Sequence, residues 1–225
     1  MTRRGPVLAL AIVLAACAVG GAPDSALEQK VTWFHYVAGE DLRADCRTDG
    51  PTTFRFVYNA LFNKDVRALD LTAGEGGGTL ESRRYQGARV LNVQSAGLVN
   101  RPDQASVALD GTQVAALLVA IVADGFAGPA ESGLILRSDT YHAVATGCRG
   151  GEFRIHGYTW DRLGNLATAD ALRALDPLGV PWPEPVDSDA PSSAHELAPT
   201  GTHEDSDPYF VLELGQFGLR GFNEW

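Results

Sequence analysis

The longest apolar run beyond the first 21 residues, VAALLVAIVA at residues 114–123, constrains the fold most strongly. Asp110 precedes it, and Gln113 follows three positions later, which resembles a capping box with Asp in place of Ser or Thr. The run is far shorter than the ~20 residues that cross a bilayer. It therefore predicts a helix over 111–124. Because this helix is apolar on every side, we expect it to be buried on most sides, so that Val119→Asp costs several kcal/mol.

Strand-like runs precede this helix. The run at 30–37, KVTWFHYV, is rich in β-branched and aromatic residues, which favour strands. Phe54, Phe56 and Tyr58 alternate with other residues, a period of two that predicts one buried face. The first half of the chain is thus predicted to be a meander of about five strands, at residues 30–37, 52–62, 66–72, 79–86 and 88–95.

Further strands and one shorter helix follow. The helix is predicted over 167–176, ending at Pro177. Residues 183–207 hold seven acidic residues, no Lys or Arg, and several prolines and serines, a composition that predicts a mobile acidic loop. The four late strands are expected at residues 133–139, 141–147, 152–160 and 209–214. Together these elements predict a single α+β domain over 30–225, with a largely antiparallel sheet packed on the 111–124 helix.

The N-terminal residues carry an export pattern. Arg3 and Arg4 precede an apolar segment that ends in Leu14-Ala15-Ala16-Cys17. This pattern resembles the signal peptide and lipobox of bacterial lipoproteins, although the resemblance covers only the first 17 residues. It implies a signal peptide at 1–16 and a lipid on the thiol of Cys17. The small and polar residues that follow predict a flexible tether at 17–29. The residue after the cysteine is Ala18 rather than Asp, which resembles the pattern of enterobacterial lipoproteins sent to the outer membrane. The resemblance therefore implies a protein anchored in the outer membrane and facing the periplasm. An ordinary signal peptide with a chance cysteine is the alternative.

The net charge limits the partners of the chain. It is −10 overall, and −12 once Arg3 and Arg4 are removed with the signal peptide. Nucleic acids are bound by clustered Lys and Arg, so this acidic balance argues against a nucleic-acid partner. Anionic lipid headgroups are disfavoured for the same reason, so the lipid anchor rather than a basic face is expected to hold the protein at the membrane.

The two cysteines left after lipidation, Cys46 and Cys148, predict a disulfide, because exported proteins enter an oxidising compartment. His142 and His156 flank Cys148 in sequence and leave a catalytic thiol open as an alternative. The chain shows no CxxC zinc pair, and no GxSxG, SxxK or HExxH motif. No catalytic residue, cofactor or metal is therefore predicted. The histidines of the acidic segment, in His195-Glu196 and His203-Glu204-Asp205, are expected to be solvated rather than to bind a cation.

Two functional hypotheses follow from the sequence. The favoured one is a membrane-anchored envelope lipoprotein that binds or scaffolds an envelope protein or a cell-wall component without catalysis. The alternative is a thiol-dependent or metal-assisted hydrolase acting on cell-wall or peptide substrates, which depends on Cys46, Cys148, His142 and His156.

Overall fold

The computed structural model describes residues 22–23, 26–62, 64–86, 101–184, 210–215 and 218–222. These residues form a mixed α+β fold, as the sequence predicts. In chain order the elements are α1 Ala26–Val37, α2 Glu40–Ala44, β1 Thr52–Ala60, β2 Asp65–Gly74, β3 Gly77–Gln86, β4 Asp103–Asp110, α3 Gly111–Ala123, β5 Leu134–Arg137, β6 Tyr141–Arg149, β7 Glu152–Thr159, α4 Trp160–Leu163, α5 Ala167–Leu175, β8 Val211–Gly215 and β9 Gly218–Phe222.

Six strands form one antiparallel sheet in the order β4-β3-β2-β1-β6-β7. β1 lies inside this sheet and pairs with β2 on one side and β6 on the other, so that Phe54 stands opposite both Leu71 and Gly147. The strands β5, β8 and β9 form a second, smaller sheet. The predicted runs at 52–62, 66–72 and 79–86, and the four late runs, correspond to strands of these two sheets.

Both faces of the six-stranded sheet are covered. Phe54, Phe56 and Tyr58 pack on one face with residues of α3 and α5, and we call this the front face. Val57 packs on the opposite face with residues of α1 and the small sheet, which we call the back face. The alternation in β1 was therefore misleading, because the strand is buried on both sides and not on one. A strand between two layers places every side chain inside.

Residues 30–37 are not the predicted strand but most of helix α1. Trp33, Tyr36 and Val37 are buried at the i, i+3 and i+4 spacing of one helix face, while His35 is exposed. This spacing, rather than the aromatic content, was the informative signal. α1 also begins inside the range 17–29 for which the sequence predicts a flexible tether.

Other differences concern the middle of the chain. β4 was not predicted, because its sequence DQASVALD contains a single β-branched residue and no aromatic one. The predicted strand at 88–95 lies outside the described residues, and so does the predicted acidic loop from residue 185 onward. The predicted shorter helix is present as α5 and ends before Pro177.

Two buried arginines are each held by carboxylates, one on either face. On the back face, Arg55 donates to Asp41 at 2.8 Å and to Asp70 at 2.6 Å. On the front face, Arg67 donates to Asp65 and Asp176, both at 3.1 Å. Buried charges require such partners, and the second arginine connects the sheet to the chain that follows α5.

Candidate functional site

Helix α3 begins where the sequence predicts. The side chain of Asp110 accepts a hydrogen bond from the Gln113 backbone N–H at 2.9 Å, and the Gln113 side chain accepts one from the Asp110 backbone N–H at 3.0 Å. This is the predicted capping box. The inner side of the helix packs on the front face of the sheet through Val114, Leu117, Ala120 and Ile121.

The other side of α3 is exposed. Val119 is 69% exposed and Val122 is 47% exposed. With the exposed residues Ala115, Ala116 and Ala123 they form what we call the outer α3 surface. The prediction that this helix is buried on most sides is therefore wrong, and the severe cost expected for Val119→Asp loses the burial on which it depended. α3 lies in the outer layer of the fold, and a single layer covers only its inner side.

The composition of this exposed side is unusual for a surface helix. Helices that cover a core normally present charged or polar residues to solvent, whereas none of the 13 residues of α3 is charged. Within the described part of the chain, the exposed large hydrophobic residues are Val119, Val122 and Val180. Two of these three belong to α3, and clustered exposed apolar residues mark interaction sites.

A groove adjoins the second half of the helix. It has a volume of about 170 Å³ and is open to solvent. Phe54 and Phe126 meet edge to face at its floor, with 5.1 Å between ring centroids. Gly147 keeps the groove open, since a Cβ there would lie 3.4 Å from Phe126 and 2.7 Å from the Thr53 carbonyl oxygen. We call this space the α3 groove; it is lined chiefly by Thr53, Phe54, Leu118, Ile121, Val122, Phe126 and Gly147.

Charged residues stand at one rim of the α3 groove, at the turn between β6 and β7. Arg149 is exposed there. Arg154 donates to Glu152 at 2.5 Å and to the Gly128 carbonyl at 3.0 Å. The groove thus combines an apolar floor with a rim on which two arginines face one glutamate.

Cys46 and Cys148 lie at disulfide distance, with 5.5 Å between their Cα atoms. Cys148 and His142 are both on the back face of β6, but they are six positions apart, about 20 Å along a strand. His156 stands on the front face, its ring 5.0 Å from that of Phe126. The structure therefore does not bring Cys148 together with either histidine.

Both histidines are buried, and each ring lies within hydrogen-bond distance of a backbone carbonyl oxygen. Burial lowers the pKa of His142 to about 4, and its Nδ1 lies 3.2 Å from the Thr140 carbonyl oxygen. Burial also lowers the pKa of His156, whose Nε2 lies 3.2 Å from the Gly128 carbonyl oxygen. Each ring is neutral at pH 7 and donates one N–H to the backbone.

The described residues contain neither a cluster of metal ligands nor a membrane-spanning helix. Within the described ranges, no three His, Cys, Asp or Glu side chains are grouped so as to hold a metal ion. Among the helices of those ranges, none is both long and apolar enough to cross a membrane. Cys17 and the histidines at 195 and 203 lie outside them.

Comparisons with protein-family models, with curated proteins and with solved structures found no match for this chain.

The outer α3 surface was not predicted from the sequence. A usable signal was present in the sizes of the residues, because the bulky Leu117, Leu118 and Ile121 lie on one side of the helical wheel. The small Ala115 and Ala116 lie towards the other side.

Proposed function

We propose that this protein is a lipid-anchored component of the bacterial cell envelope and acts as a non-enzymatic binding module. The anchor is the lipid on Cys17 implied by Leu14-Ala15-Ala16-Cys17. The binding site is the outer α3 surface with the α3 groove. One observation carries this proposal: the solvent side of an uncharged helix exposes Val119 at 69% beside an apolar groove.

The exposed apolar area of α3 provides the free energy for binding a partner. Covering exposed valines and alanines removes that area from water at about 25 cal/mol per Å². No charged side chain of α3 has to lose its hydration in the process. A partner that covers this surface therefore gains the hydrophobic term without a matching desolvation cost from the helix.

The alternative hydrolase hypothesis requires a free thiolate with a histidine base nearby. Cys46 and Cys148 instead lie at disulfide distance, and neither His142 nor His156 is near the pair. Labelling of thiols on the unreduced protein tests this directly. We expect no reactive thiol at either position, and labelled Cys148 would restore the hydrolase hypothesis.

The anchor is tested by Cys17→Ala. We expect this variant to leave the membrane fraction, and the mature wild-type N-terminus to carry a diacylglycerol mass on Cys17. A Cys17→Ala variant that is processed normally and stays in the membrane fraction would contradict the lipoprotein part of the proposal.

The binding site is tested by Val119→Lys in the native, detergent-solubilised protein. The substitution is at an exposed position, so the circular dichroism spectrum is expected to be unchanged. We expect the variant to sediment as a smaller species than the wild type, because a charge on the outer α3 surface opposes docking. Asp170→Lys on the exposed side of α5 is the matched control. Equal sedimentation of all three proteins would contradict a binding role for α3.

A further inference from the structure

The position of the N-terminal residues restricts how an anchored domain is oriented; this step depends on the lipid at Cys17 proposed above. Ala22 packs against the core cluster of the back face. The Tyr85 hydroxyl donates to the Pro23 carbonyl at 3.1 Å, which holds this segment on the same face. Only four residues separate Cys17 from Ala22. Fully extended, this segment reaches at most about 18 Å.

The outer α3 surface is on the opposite side of the sheet. A helix packed on a sheet places its outer surface about 15 Å from the sheet, and the Ala22 side lies roughly 10 Å beyond it in the other direction. The separation of about 25 Å exceeds the ~18 Å reach of the tether. A chain anchored at Cys17 therefore does not lay α3 flat on the bilayer that holds its lipid. This limit on reach favours orientations in which the back face, rather than α3, lies nearest to that membrane.

The groove and its rim indicate what α3 receives on that side. Its volume of about 170 Å³ is close to that of apolar cavities that hold a benzene-sized group. Arg149 stands opposite Glu152 in the strand register, and Arg154 lies at the same rim, so the rim carries one arginine more than glutamate and favours a carboxylate. A second copy of this chain is disfavoured, because each copy carries a net charge of −12 once Arg3 and Arg4 have been removed from the full-length −10.

We infer that the outer α3 surface and the α3 groove bind a segment of a second envelope protein on the side away from the anchoring membrane. That segment inserts one aromatic or branched aliphatic side chain into the groove and places a carboxylate against Arg149.

The orientation is tested with single fluorescent labels on the lipidated protein. Val119→Cys reports on α3, and His35→Cys, exposed on the back-face helix, is the matched position. Each variant is labelled with bimane and added to phosphatidylethanolamine–phosphatidylglycerol vesicles that carry nitroxide headgroups. We expect the nitroxide to quench the label at position 35. The label at position 119 should keep its full fluorescence.

A ten-residue Gly/Ser insertion between Gly21 and Ala22 is the control for reach, and it should allow quenching at both positions. Equal quenching at 35 and 119 without the insertion, in a chain shown by mass to carry the lipid, would overturn the orientation alone. A chain without diacylglycerol contradicts the proposed anchor and the orientation built on it.

The groove is tested without the anchor, on the mature Cys17→Ala protein, with phenylacetate and phenethylamine as probes. Phenylacetate is expected to shift the NMR amide signals of the second half of α3 and of residues 147–149. The amine, which lacks the carboxylate, should bind about threefold more weakly, as for an exposed ion pair. Ala127→Phe, which fills the groove from its exposed rim, should abolish the shifts, whereas Ala44→Phe, on the exposed side of α2, should retain them.

Three outcomes oppose the inference at different points. Absence of shifts with either probe overturns the groove as a side-chain pocket. Equal affinity for both probes overturns the carboxylate contact. Reversible dimerisation of the purified protein that Val119→Lys abolishes makes a second copy the occupant and overturns the second protein.

Discussion

The helices α3 and α5 lie side by side on the same face of the sheet, yet their solvent sides differ. α5 buries Thr168, Ala169 and Leu172, and exposes Asp170, whose side chain is 71% exposed. α3 buries a comparable inner side but exposes Val119 at 69%. Both helices meet the requirement of covering the core, so that requirement does not explain the outer side of α3.

Helix stability does not explain it either. Valine is β-branched and a poorer helix former than the Lys, Glu or Gln that usually occupy exposed helix positions. Val119 and Val122 therefore stand where polar residues would serve the isolated domain better. The contrast with α5 is the reason why we propose a binding role for the outer α3 surface, and the following predictions test the contrast.

The largest expected effect separates the two sides of α3. Leu117 is 1% exposed, so Leu117→Asp places an unpaired carboxylate in the core and should cost about 5 kcal/mol, enough to unfold a marginal domain. Val119→Asp, two residues away, should change the free energy of unfolding by only about 0.5 kcal/mol. Urea denaturation followed by circular dichroism measures both. Similar losses at the two positions would mean that the outer α3 surface belongs to the core.

The next effect concerns how the end of α5 is held. Arg67 is fully buried and bonds Asp176, which directly follows α5. Arg67→Met leaves carboxylates buried without their partner, and we expect a loss of about 3–5 kcal/mol in unfolding free energy. The control is Arg162→Met, which removes a half-exposed pair with Glu131 and should cost about 0–1 kcal/mol. Equal costs would show that burial of the Arg67 pair has no energetic consequence.

The two helices also show what the sequence was able to predict. The capping box of Asp110 and Gln113 and the stop at Pro177 are local signals, and both helices lie where those signals place them. Which side of α3 is covered depends on the layers around it, and an all-apolar run carries no such information. The prediction of a strand at 30–37, now most of α1, was wrong for a different reason. Trp33, Tyr36 and Val37 are residue types that favour strands, but their spacing is that of one helix face.

The candidate site was less predictable than the fold. The α3 groove joins α3 to β1, the β6–β7 turn and residues 126–127, which are distant in sequence. Its depth depends on Gly147 lacking a side chain next to Phe126. Neither residue belongs to a recognisable motif. Such a site arises from tertiary packing. By contrast, Cys46 and Cys148, the one pair left once Cys17 is assigned to lipid, do lie at disulfide distance.

Acid tests whether α3 and α5 unfold as one unit. The pKa of His142, buried on the other face of the sheet, is lowered to about 4 from an ordinary value near 6.5. Between these values the unfolded chain binds more protons than the folded one, so stability falls as the pH falls from 6.5 to 4, by up to about 3 kcal/mol. Hydrogen exchange at pH 7 and pH 4.5, corrected for intrinsic rates, should show loss of protection in both helices together.

His142→Asn removes this titration and keeps a donor for the Thr140 carbonyl. Its stability should therefore depend less on pH over the same range, whatever its stability at pH 7. If the variant keeps the full pH dependence, His142 is not the group responsible. If α5 alone loses protection, the two helices are independent units.

The smallest expected effect lies at the junction of the two helices. Asp124, the residue after α3, accepts hydrogen bonds from the Ala167 backbone N–H at 3.1 Å and the Thr168 backbone N–H at 2.7 Å. It therefore supplies the N-terminal cap that Leu166, at the cap position of α5, does not provide. Asp124→Ala should lower the free energy of unfolding by about 1 kcal/mol, and Asp124→Asn, which keeps an acceptor, by less. Because Asp124 itself does not line the α3 groove, Asp124→Ala should leave the phenylacetate shifts in place. Loss of those shifts would show instead that the shape of the groove depends on the contact between the two helices. The difference between α3 and α5 would then concern their packing as well as the residues that they expose to solvent.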